Sequence, residues 1–161
     1  MATYDAEYKA RIRAMLHGVN MTEVFTWPEA ATQTFVKQDL VYLSSGYVTV
    51  CGTNPSVIAG LAMQDGNDDT SDGDHDTEVG VLTGLTLLAM EVHSGTPANA
   101  DIEAADLGAS YGITAVSNAW YVDKDKTGGD ARVKIVDFID PVGTVNGRVL
   151  VQVLAANRMF A

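Results

Sequence analysis

The sequence has 161 residues, 47% of them hydrophobic and 19% charged, with a formal net charge of −11. That is a globular composition of single-domain length and excludes a disordered chain. One cysteine, Cys51, excludes an internal disulfide and argues against a thiolate zinc site; in the apolar run YVTVCG it reads as a small buried hydrophobe.

The charge is segregated along the chain. Residues 1–38 are balanced, residues 39–123 hold thirteen acids and no Lys or Arg, and residues 124–161 hold six basic and four acidic residues. A cation-free block of that length cannot neutralise a phosphate backbone, and anionic membrane would repel it, so nucleic acid and membrane are not expected partners. No secretory signal opens the sequence, and the longest uncharged apolar stretch, VGVLTGLTLLAM from Val79, is too short to span a bilayer. A soluble product made inside a cell is expected.

Residues 1–31 read as an N-terminal arm. Tyr4, Tyr8, Ile12 and Leu16 recur at helical spacing and predict a short helix that Gly18 ends. Trp27-Pro28 marks the boundary, because a residue before proline avoids helical backbone. Residues 32–161 form the expected domain.

From Thr34 onward the pattern is that of strands. VYLSS and YVTVCG flank Gly46; SVIAGLAM, EVGVLTG, LTLLAMEVH, ASYGIT, AWYVD, ARVKIVDFID and GRVLVQVLAA follow. Turn residues separate these short Val-, Ile-, Leu- and Tyr-rich runs, which predicts a mainly β fold, a single barrel or sandwich. Asn146-Gly147 suits a two-residue hairpin, and Lys124–Asp130 (KDKTGGD) reads as a looser hairpin loop. Val133 and Ile135, with Phe138 beyond them, should face inward, while Arg132, Lys134 and Asp137 face outward. VLVQVL is apolar on both faces apart from Gln152 and should lie centrally.

The stretch DGNDDTSDGDHDTEVG carries seven carboxylates and one histidine. Read as a calcium loop from Asp65, it puts Thr70 where glycine is needed and Asp76 where glutamate is needed; read from Asp68, it gains Gly73 but ends on Val79. His75 has no nearby second histidine for a transition metal. Residues 65–78 are therefore expected to form an exposed, solvated, mobile loop between strands. GASYG, Gly108–Gly112, matches a nucleophile-elbow pattern around Ser110, but His17, His75 and His93 all precede it, whereas that mechanism needs a later histidine. DKTG at Asp125 lacks the residues that follow an aspartyl-phosphate motif and reads as a turn. Asn20-Met21-Thr22 is a glycosylation sequon with no secretory route. Asp39 and Asp123 are the carboxylates best placed for acid–base work, yet both fit strand-end residues binding turn amides. No catalytic residue, cofactor site or metal site is assigned.

Three stretches carry a resemblance: KQDLVYLSSGYVTVCG, SVIAGLAMQDG and DLGASYGI…AWYVDKDKTGGDARVKIVDFIDPVGTVNGRVLVQVL. In order and spacing, the region from Phe35 to Val153 resembles the capsid decoration (cement) proteins of tailed bacteriophages. The resemblance implies a non-enzymatic virion protein, made in the host cytoplasm. It would bind the exterior of an expanded head where major-capsid subunits meet, as a homo-oligomer with the trimer favoured. The arm, which departs from the smallest members of that family, is the candidate capsid contact because Tyr4, Tyr8, Lys9, Arg11, Ile12, Arg13 and Trp27 combine cations with apolar anchors; the alternative is that it packs on its own domain. Three rivals remain open: a tail-tube or head-fibre base protein, a small hydrolase using Asp39 or Asp123, and a calcium-binding module.

Overall fold

The computed structural model describes residues 23–96, 99–117 and 119–160 in full and residues 11–13 by their backbone. The fold is mainly β, as expected, with eleven strands in two sheets among the described residues.

The first sheet closes on itself. Its strands are β1 (Arg11–Arg13), β7 (Leu87–His93), β8 (Ser110–Val116), β9 (Ala119–Asp123), β10 (Val133–Phe138) and β11 (Arg148–Val153), in the order β1-β7-β11-β10-β8-β9. A further parallel pairing of Val92 and His93 with Val122 and Asp123 joins β9 back to β7, giving a five-stranded barrel with β1 as an appendage. Closure removes the unpaired edges that an open sheet leaves. One margin of β7 thus serves two partners in turn: β1 at Leu87–Ala89 and β9 at Val92–His93.

The second sheet stays open. It comprises β2 (Val24–Pro28), β3 (Leu40–Ser44), β4 (Tyr47–Val50), β5 (Gly60–Ala62) and β6 (Asp76–Val81), all antiparallel, in the order β2-β6-β5-β3-β4. It curls enough for Ala30 N–H to reach Val48 O at 3.0 Å, but β2 remains an edge strand.

Strand β3 shows why its sequence, LVYLS, is apolar at nearly every position. Leu40 and Tyr42 point into the main core, which the sheet shares with barrel residues such as Leu88, Met90, Ile113 and Trp120. Val41 and Leu43 point the other way, into a smaller cluster with Phe35, Val48, Ala62 and Val79. Successive side chains alternate in direction, so a sheet between two cores is apolar on both faces. Cys51 is buried in the main core, and burial pushes its thiol well above the usual range.

Several sequence expectations hold in detail. Strand β11 lies between β7 and β10. Val133 and Ile135 are buried, Lys134 and Asp137 are exposed, and Phe138 packs on the core. Phe138 turns inward because the register shifts between Ile135 (opposite Val151) and Asp137 (opposite Leu150). Val136 is the extra residue of that bulge, and a bulge reverses the alternation beyond it.

Others are corrected. Ile12 lies in strand β1, opposite Leu88, and not on a helix; Arg-Ile-Arg alternates with period two, and the start of β7 offers unpaired backbone groups. Tyr4, Tyr8, Lys9, Leu16 and the Asn20 sequon lie outside the described residues. Val24–Pro28, at the end of the segment read as an arm, is a full strand paired residue by residue with Asp76–Gly80.

The two-residue hairpin sits at Ser45-Gly46, with φ values of 52° and 89°, between the paired Ser44 and Tyr47. Asn146-Gly147 instead ends a longer connection that begins at Ile139. Asp140 holds this loop through Arg148, accepting from its backbone N–H (2.8 Å), its Nε (2.9 Å) and its Nη2 (2.6 Å). At Gly147 the backbone passes close to buried Ile102, and a Cβ there would displace that side chain. Lys124–Asp130 is a crossover and not a hairpin loop, since β8 lies between β9 and β10.

Candidate binding surface

Glu23, Val24, Phe25 and Thr26 are all exposed. Consecutive strand residues point to opposite faces, so both faces of β2 are uncovered along this run. Its outer margin also has no ladder partner among the described residues. Val24 is 49% exposed and Phe25 45%, which is unusual for large apolar side chains sitting on one strand.

The aromatic residues are ordered on one another. Phe25 and Trp27, two apart and hence on one face, stack with centroids 5.6 Å apart and ring planes 5° from parallel. Phe160, from the C-terminal segment, stacks on Trp27 at 5.5 Å. With Glu23, Val81 and Thr83 they line a groove of about 380 Å³. Pro28 closes the strand; lacking an N–H, proline is tolerated on an edge.

Of the residues assigned to a binding surface from sequence, the structure places Trp27 in this groove. Arg11, Ile12 and Arg13 are located by their backbone pairing to β7. Phe25 and Phe160 were missed. The signal for Phe25 was present, because V-F-T-W combines β-branched and aromatic residues at period two. Phe160 had none, since its contact with Trp27 spans most of the chain.

The acidic loop is exposed but tightly tethered. Asp76–Glu78 belong to β6, so the loop proper runs from Met63 to His75. Its anchor is Glu29, 1% exposed, whose carboxylate accepts from Asn67 N–H (2.7 Å), the Asn67 side-chain amide (3.1 Å) and the Thr77 hydroxyl (2.6 Å). Further bonds run from Thr32 N–H to Asp69 O (2.7 Å), from Gly73 N–H to Glu29 O (2.8 Å), and from Ala31 N–H to Asp72 Oδ1 (2.7 Å). His75 pairs with Asp69, and that hydrogen bond raises the imidazole pKa. The loop is therefore tied along the 29–37 segment by these bonds and by Lys37 N–H to Asp65 Oδ1 (2.8 Å). Among the described residues, no three His, Cys, Asp or Glu side chains converge to hold a metal.

The two acids singled out for acid–base work are engaged in turns. Asp39 accepts from Val36 N–H at 2.8 Å. Asp123 accepts from Asp125 N–H at 3.1 Å and pairs with Lys126. Ser110 opens β8, with Gly108 framing the bend before it. A second hollow of about 410 Å³ is lined by Tyr42, Leu43, Gly52, Pro55, Ser56, Val57 and Met159, with no carboxylate or imidazole.

Two polar clusters were not foreseen. Asp125 accepts from the Ser94 hydroxyl (2.6 Å), Asn99 Nδ2 (2.9 Å) and Thr96 N–H (3.1 Å), and these bonds lower its pKa to about 2. In the other, Lys124 Nζ donates to Asp101 O (2.9 Å), Asp106 Oδ2 (3.0 Å) and Glu103 Oε2 (3.1 Å). Tyr111 donates its phenol to Asp106 Oδ1 at 2.6 Å. Burial pulls the Lys124 pKa down, but the bonds to Asp106 and Glu103 outweigh it and hold the ammonium above its usual value. Burial, then the bond to Asp106, raise the Tyr111 phenol well above its usual range.

No protein-family model matches the chain, and no curated protein matches it significantly in sequence.

Proposed function

We propose that this protein is a structural virion component that binds the outer surface of a bacteriophage head and reinforces the capsid lattice, with the Phe25–Trp27–Phe160 face as its principal contact. Beyond the resemblance in sequence, the observation that supports this reading is the uncovered edge strand β2, apolar on both faces. Stacked aromatics are rigid anchors of the kind that dominate binding energy. An open strand edge also lets a partner add its own strand through backbone hydrogen bonds.

The partner is the major capsid protein. The charged residues of the arm, Lys9, Arg11 and Arg13, with Tyr4, Tyr8 and Ile12, remain part of the proposed contact, the arm acting as a second tether. Two linked contacts raise the effective concentration of each. A trimer is the proposed bound form. A ligand that binds only the assembled lattice stabilises it by RT ln(1 + [L]/Kd), about 2.7 kcal/mol per site at a hundredfold excess over Kd. The acidic surface would face solvent and keep crowded particles apart.

The test is co-sedimentation with expanded, emptied heads. Wild-type protein should pellet to a fixed stoichiometry, and a variant lacking residues 1–20 should bind more weakly. Failure of the intact protein to pellet with expanded heads, at any concentration that leaves it monodisperse, overturns the reading.

A further inference from the structure

The geometry points to a covalent cross-link: an amide bond between Lys124 Nζ and the Asp106 carboxyl carbon, formed by the folded protein without any cofactor. Asp106 ends a short 3-10 turn four residues before the start of β8, and Lys124 immediately follows β9. The bond would close the base of the β8–β9 hairpin into a covalent ring, in a chain whose one cysteine cannot do so.

The pair differs from a surface salt bridge in its burial and in its neighbours. The side chains of Lys124 and Asp106 are 6% and 1% exposed. Each atom that must act has a partner in place. Nζ and Oδ2 are 3.0 Å apart; Tyr111 holds Oδ1 at 2.6 Å; Glu103 holds Nζ with its carboxylate at 3.1 Å and Oδ2 with its backbone N–H at 2.8 Å. Holding two reacting groups in this way is equivalent to an effective concentration on the order of 10⁵–10⁸ M, which favours condensation over the hydrolysis that prevails in dilute solution.

The steps balance. A proton moves from Nζ to Oδ2 along their hydrogen bond, converting the ion pair into its neutral tautomer with no net proton gained or lost. The freed lone pair on Nζ forms a bond to Cγ, and the C=O electron pair moves to Oδ1, where the Tyr111 hydroxyl stabilises the developing charge. Glu103 takes a second proton from Nζ and returns it to Oδ2, which leaves as water as the C=O bond reforms. The remaining N–H becomes the amide hydrogen, within reach of Asp101 O. Because the reactive tautomer carries the same protons as the ion pair, formation is pH-independent across neutrality.

Intact-protein mass spectrometry of the folded full-length chain, after days at neutral pH, tests this directly. The wild type should be one water lighter than its sequence mass, and digestion should yield a branched peptide joining Asp106 to Lys124. Lys124→Arg should have its full mass. Glu103→Gln replaces a side chain that is 60% exposed and leaves the Lys–Asp pair, so it should fold yet cross-link about 10²-fold or more slowly. A folded wild-type protein at full mass overturns the proposal. So does a water loss that persists in Lys124→Arg, which would place the dehydration elsewhere, as at Asp65-Gly66.

Discussion

The barrel and the open sheet answer the same problem in opposite ways. Both have five strands and contribute to one core. The barrel pairs β9 back to β7, and β1 adds to the same margin of β7. The open sheet ends on β2, which exposes Val24 and Phe25 and stacks Phe25 on Trp27 and Trp27 on Phe160. Closure maximises stability; an uncovered apolar edge costs solubility and is retained where something binds it. Under the proposed function, stability resides in the barrel and recognition in β2.

Substitutions should separate the two roles. The largest effect on folding is expected from Trp120→Ala. Trp120 is 1% exposed, lies in the barrel core and donates its indole N–H to Gly52 O at 3.3 Å, tying barrel to sheet. Removing a buried indole costs about 3–5 kcal/mol, to be read as a lowered midpoint in urea. Glu29→Ala should cost less, roughly 1–3 kcal/mol, by stranding the donors of Asn67 and Thr77. It should also release the 63–75 loop, measurable as faster proteolysis there with the barrel still folded.

Phe25→Ala and Trp27→Ala should show the reverse pattern. At the exposed Phe25 the stability change should stay within about 0.5 kcal/mol, while binding to heads should weaken by about 2 kcal/mol or roughly thirtyfold. A stability loss as large as that of Trp120→Ala would erase the distinction between the regions.

The smallest effect concerns acid. Asp125 has its pKa lowered from 3.8 to about 2 by the bonds from Ser94 and Asn99. A lowered carboxylate pKa contributes stability that is present above the unfolded value and lost as pH falls through the folded one. Asp125→Asn should therefore melt below the wild type at pH 7, and the gap should narrow as pH falls from about 4 to 2. A constant gap would mean the bonds from Ser94, Thr96 and Asn99 do not depend on its charge.

The strands from β3 onward were legible because alternating apolar residues and turn clusters are local signals. What the sequence concealed depends on pairing at a distance. β9 and β10 are consecutive in the chain but separated in the sheet by β8, so their connection looked like a hairpin loop. The Ser45-Gly46 turn carries a weaker signal than Asn146-Gly147, yet adjacent complementary strands gave it the hairpin. β2 was hidden by a true local rule, that residues before proline avoid helix, which marks an edge strand as readily as a boundary. In the arm, the four-residue spacing of Tyr4, Tyr8 and Ile12 competed with the period-two Arg-Ile-Arg, and at Ile12 pairing to β7 prevailed. For the proposed surface, Trp27 was legible and its neighbours were not, since Phe160 arrives from the opposite end of the chain. The Lys124–Asp106 cluster was hidden for the same reason: two loops from opposite ends of a hairpin bring it together.

Hydrogen–deuterium exchange, with and without expanded heads, addresses the proposed division most directly. The account predicts that the outward amides of β2, those not bonded to β6, exchange quickly in the free protein and slow sharply on binding, with the amides of β8, β10 and β11 protected equally in both states. Unchanged exchange across residues 23–28 in a head-bound sample, or protection confined to the barrel, would contradict it.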